Sequence, residues 1–140
     1  MGLTDGATTF YRQEIGVDAD GSALDAYVTS GDFDITQRRS NTGATVGMPD
    51  LRGDGEFIMR ISRFIPDFIS QTGNTQVSFT TRNYPNSTGT TTNFSVDSTT
   101  TKKDTRLRAR SIALKVANTT SSEDWKLGTF RLDIHPGGRR

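Results

Sequence analysis

The sequence predicts an all-β chain, an antiparallel β-sandwich of jelly-roll or immunoglobulin-like type with long polar loops. Three observations predict it. Apolar and polar residues alternate at the period of two that a half-buried strand needs, turn-forming residues recur between those stretches, and no segment carries a sustained apolar stripe at the helical period. Composition agrees. Of 140 residues only 31% are apolar, and Thr, Ser, Asn and Gly are abundant, which suits a thin core built from short, well-patterned segments. The length is that of one domain.

Taken in chain order, residues 1–24 read as an N-terminal extension or arm, and residues 25–140 as one sandwich domain. Residues 27–35 form a weaker strand candidate, rich in aromatic, Thr and β-branched side chains. Residues 36–55 are polar, Gly-bearing and without periodicity, and are expected to be a long loop that orders against a neighbour. Residues 56–63 are a strong strand, with Phe57, Met59 and Ile61 on one face. After the Pro66 break, residues 65–69 are expected to form one short turn. Residues 75–82, 92–96 and 105–108 are further strand candidates, and residues 86–93 and 98–101 between them have the length of hairpin connections. In residues 110–116 the face is Ile112, Leu114 and Val116; in residues 125–134 it is Phe130, Leu132 and Ile134, against Arg131 and Asp133. Turn signals stand at Asp20-Gly21, Asn41-Thr42-Gly43, Gly53-Asp54-Gly55, Pro85-Asn86 and Pro136-Gly137-Gly138. Residues 1–24 and 36–55 are the assembly-arm candidates.

The chemistry a sequence can advertise is sparse here. With no Cys there is no disulfide, thiolate metal site or Cys nucleophile. No phosphate-cradling Gly-rich motif and no Gly-x-Ser-x-Gly elbow occurs, and the single histidine, His135, precedes a proline. Asp18-Ala19-Asp20-Gly21 opens like a calcium loop but lacks the later bidentate Glu, so it reads as a solvated turn. An enzymatic cleft would have to draw on Asp32, Asp34, Glu56, Asp67 and His135, which nothing in the sequence brings together. No cofactor is expected. The start Met1-Gly2 lacks the Ser or Thr at position 6 that myristoylation needs, and neither a secretory leader nor a spanning segment is read, so no membrane contact is expected. The Asn-x-Ser/Thr sequons at Asn86, Asn93 and Asn118 arise easily in so Thr-rich a chain.

Net charge is +1, from 17 basic and 16 acidic residues, too small for long-range steering. Local charge says more. Arg106, Arg108 and Arg110 stand two apart, hence on one face of a strand, with about 6–7 Å between successive side chains. Such a ladder follows a phosphate backbone or meets an acidic partner, and a protein partner or a plain solvated face is the more economical expectation.

Three stretches carry a resemblance: Arg63-Phe64-Ile65-Pro66-Asp67-Phe68; Val77-Ser78-Phe79-Thr80-Thr81-Arg82-Asn83-Tyr84-Pro85; and the run from Trp125-Lys126-Leu127-Gly128 to His135-Pro136-Gly137-Gly138-Arg139-Arg140. Together they resemble the C-terminal module of large structural proteins of short-tailed phages: tail nozzle, tail tubular or packaged-DNA stabilisation proteins. The similarity covers most of residues 25–140. It implies a non-enzymatic virion subunit of the phage tail, made in the host cytoplasm, that assembles symmetrically with copies of itself and other tail proteins, with non-specific DNA contact in a channel. The competing expectation is a receptor- or carbohydrate-binding β-sandwich. Its aromatic platform would come from Tyr11, Tyr84 and Trp125, of which Trp125 adjoins an alternating strand and reads as core.

Overall fold

The structure, a computed structural model, describes residues 16–19, 21–35 and 57–139. The long-loop segment 36–55, Glu56, Tyr11 and residues 1–15 of the arm lie outside the described residues. Among the described residues, eleven strands follow in order: β1 Asp18–Ala19, β2 Ser22–Ala23, β3 Tyr27–Thr29, β4 Phe57–Ile65, β5 Phe68–Thr72, β6 Thr75–Arg82, β7 Thr90–Val96, β8 Lys103–Ala109, β9 Ser111–Ala117, β10 Asp124–Leu127 and β11 Arg131–Arg139. All pairings are antiparallel, and no helix occurs among the described residues.

Alternation decides which side chains go inward. Val77 and Phe79 of β6, Ile112 and Val116 of β9 and Val96 of β7 come from a four-stranded sheet ordered β3-β9-β6-β7. Met59, Ile61 and Phe64 of β4, with Leu107 and Ala109 of β8, come from a three-stranded sheet ordered β11-β4-β8. These residues and Ile35 form one buried cluster, so the two sheets share a single core, the arrangement of a sandwich. Phe64 is its hinge between layers. Its ring lies 5.4 Å from Phe79 and Phe94 and 5.5 Å from Phe130, contacts that each add about 0.5–1.5 kcal/mol beyond burial.

A strict period of two from Met59 and Ile61 would put Arg63 inside. A register irregularity between Ile61 and Arg63 resets the phase, so that Arg63 faces Asp104 and Phe64 enters the core. At that irregularity the buried Thr105 donates its Oγ1 hydrogen to the Ile61 carbonyl at 2.7 Å.

The expected short turn at residues 65–69 is not formed. Ile65 closes β4, Pro66 and Asp67 turn a corner, and Phe68 opens β5, which pairs with β10. Residues 125–134 are likewise two strands, separated by residues 128–130. The physical reason is a bent ribbon. β4 and β5 run against β11 and β10, and both members bend together where the Gly128 N–H donates to the Asp67 carbonyl at 3.0 Å. Only glycine fits that corner, because a Cβ on residue 128 would run into the Asp67 carbonyl oxygen.

Two turn expectations also change. Pro136-Gly137-Gly138 lies inside β11, where the register shifts between Pro136 and Arg139 and Gly138 takes a φ of 109°. Proline is tolerated because β11 is an edge strand. Residues 97–102 do not make a hairpin but carry the chain from β7 across to β8 in the other sheet, through a turn in which Asp97 Oδ1 accepts from the Thr99 N–H at 2.9 Å. The predicted strand 27–35 shortens to β3, after which Ser30 Oγ accepts the Leu114 N–H at 2.9 Å and Phe33 bridges to Ile112. In the described part of the expected arm, residues 16–19 and 21–24, β1 pairs with β2, and Asp18 ties the pair to Ser122.

Candidate functional site

Because Met59, Ile61, Leu107 and Ala109 face the core, the alternate residues of β4 and β8 face solvent. Pairing then sets their neighbours. Arg60 stands directly opposite Arg108 on β8 and, on its other side, opposite His135 on β11. One row further, Arg63 sits between Asp104 and Asp133 and pairs with Asp104, Nε to Oδ1, at 3.0 Å. The outer face is therefore divided into an acid-neutralised row and a basic one.

Among the described residues, Arg60, Arg106 and Arg108 make no ion pair, whereas Arg131 pairs with Asp67 at 2.8 Å and His135 Nε2 lies 3.1 Å from Asp133 Oδ1. Directly opposed like charges on neighbouring strands destabilise a sheet by a few tenths of a kcal/mol or more. Arg60 and Arg108 hold that position with no acidic partner among the described residues.

The three arginines singled out by sequence do not stay in one ladder. Arg106 and Arg108 project from the exposed face of β8, but Arg110 lies in the bend between β8 and β9, its N–H donating to the Arg82 carbonyl at 3.2 Å. Its guanidinium lies 5.6 Å from the centre of the exposed Tyr84 ring, a cation–π contact that fixes its direction. Two concavities result. Arg108 and Arg110 line one of about 260 Å³ with Ile58, Asn83 and Tyr84, while Arg106 lines another of about 430 Å³ with Thr92, Phe94, Asp104, Thr105 and Leu107, between edge strands β7 and β8. Sequence reasoning missed Arg60, whose face was legible but whose cross-strand partners were not.

The acids considered for catalysis are spread out. Asp32 is held by Arg82 at 2.5 Å, at the end of β6 that adjoins Ser111. Asp67 is at the bend beyond Ile65, at the far end of β4 from Met59 and Ala109. Asp34 is half-buried beside Ile35, and Glu56 falls outside the described residues. Of the aromatic platform, Trp125 packs against the core 6.3 Å from Phe68 and donates its Nε1 hydrogen to Asn118 Oδ1. Among the described residues no group of three or more His, Asp or Glu is placed to hold a metal ion.

No known family model and no curated protein matches this chain. The site is therefore read from its own chemistry.

Proposed function

We propose that this chain is a non-enzymatic structural module of a phage virion, a tail component that assembles into a symmetric oligomer with copies of itself and with other tail proteins. The resemblance in residues 63–68, 77–85 and 125–140 supports the reading, as does the wide separation of Asp32 from Asp67. The observation that carries it is the edge at β3. Of six exposed large apolar side chains among the described residues, Val17, Leu24, Tyr27 and Val28 fall within one short segment, and β3 is the edge of its sheet. All three β3 residues are exposed, Tyr27 at 59% and Val28 at 44%. An open strand edge flanked by apolar side chains is a template for pairing with another chain unless it is blunted by charge, proline or a bulge.

Native mass measurement tests this directly. A particle several times 15.3 kDa that reverts to the monomer in Val28→Asp is the expected result. A 15.3 kDa monomer at all concentrations, which also fails to co-sediment with virions, would overturn it.

A further inference from the structure

We propose that the concavity lined by Arg108, Arg110, Tyr84 and Asn83, together with the neighbouring Arg60, is a binding site for a phosphate group. The inference stands on side-chain placement alone and does not need the assembly reading. Two guanidinium groups approach one space of about 260 Å³ from different strand positions, and no carboxylate among the described residues lines it. Each is held. Arg110 lies over the Tyr84 ring, and Arg108 donates an Nη2 hydrogen to the Gly137 carbonyl at 3.5 Å. Gly137 is also the close approach: a Cβ there would lie 3.1 Å from the Ile58 carbonyl oxygen, so a larger residue would shift the backbone whose carbonyl holds Arg108.

The count of the donors selects the anion. A carboxylate has two coplanar oxygens, which one guanidinium satisfies in a fork. Two guanidinia from different strand positions, an amide and a third arginine one strand away supply enough donors for the several oxygens of a phosphate, which also carries the charge to hold Arg60 and Arg108 side by side. The phosphate has two sources, a free phosphate or the backbone of a nucleic acid. In the second case Arg60 and Arg106 would extend the track across the sheet face.

The test is a titration of the full chain, followed by backbone and arginine side-chain NMR shifts, with inorganic phosphate and separately with a short oligothymidylate, ionic strength held constant. Shifts that saturate at Asn83, Tyr84, Arg108 and Arg110 are expected. Arg108→Gln and Arg110→Gln should each weaken binding about tenfold or more, as expected when a charge-assisted bond is lost. Lys126→Gln, at an exposed position of β10, should change it by less than about twofold. Oligonucleotide binding that, on repeating the titration at several salt concentrations, shows a salt slope falling by about 0.7 per arginine removed assigns the site to a nucleic-acid backbone, and saturation by phosphate with no gain from the oligomer assigns it to a free phosphate. Arg108→Lys, which keeps the charge without the fork, serves as the folding-neutral variant and should retain only part of the affinity. The proposal is overturned if neither probe moves these residues, or if Lys126→Gln weakens binding as much as the arginine variants do.

Discussion

Glu123 shows what one residue can require of its neighbours. It is 3% exposed, and no cation is paired with it among the described residues. Donors take the cation's place: the Thr119 N–H at 2.6 Å, the Thr120 N–H at 2.9 Å and the Thr120 hydroxyl at 2.8 Å. Burial pushes this carboxyl's pKa up, but the backbone and hydroxyl hydrogen bonds from Thr119 and Thr120 outweigh it and hold the group below its ordinary 4.5. The folded chain therefore takes up this proton less readily than the unfolded one. Its contribution is complete above the ordinary glutamate pKa and is lost as pH falls through the lowered value. Glu123→Gln should lose about 1–3 kcal/mol near neutral pH, because an amide oxygen in the place of Oε2 accepts the Thr119 and Thr120 N–H groups without the charge that strengthens both bonds, and the Thr120 hydroxyl must turn from donor to acceptor. Urea unfolding across a pH series checks it: the gap between parent and variant should narrow as pH falls below the ordinary glutamate pKa and close once it is below the lowered one, and a gap that stays constant would count against this account.

At the scale of strands, what was legible in the sequence was phase, and what was not was partner. Residues 75–82 coincide with β6 because Val77 and Phe79 alternate with polar neighbours in a strand flanked on both sides. β5 was missed because only one of its side chains, Phe68, packs against the core; Ile69 is exposed, and Pro66 read as a break where it is a bend. The bend, the phase reset before Phe64 and the crossing at residues 97–102 are set by which strand lies alongside, information no local pattern holds. The arginines follow the same rule, since their spacing along β8 was readable but the opposition of Arg60 and Arg108 needed the register. That opposition gives a strand-level prediction. Arg60→Glu places a carboxylate between Arg108 and His135, and should stabilise the isolated protein by about 0.3–1 kcal/mol in urea unfolding while weakening phosphate binding. Destabilisation by a similar amount would show that the arginine row is not a source of repulsion.

Over the whole molecule, the two sheets are not separately built layers but two sides of one aromatic cluster. Phe64 belongs to one sheet, Phe79 and Phe94 to the other, and Phe130 to the segment joining β10 to β11. Unfolding should thus be a single transition, with aromatic and backbone signals melting together. Phe64→Ala should lower both by about 3–5 kcal/mol without separating them. Two resolved transitions would mean that the sheets are independently stable.

The bent ribbon also fixes an order of events in time. Ser62 of β4 and Asp133 of β11 are joined by a hydrogen bond across 71 residues of chain. At ordinary synthesis rates of about 5–20 residues per second, β4 waits roughly 4–14 s for β11, the later of the two strands that flank it. Through that interval its Met59, Ile61 and Phe64 have no completed sheet to enter. The β6-β7 hairpin, which closes a much shorter loop, is expected to form first and the ribbon with β11 last, an order that pulse-labelled hydrogen exchange during refolding would check.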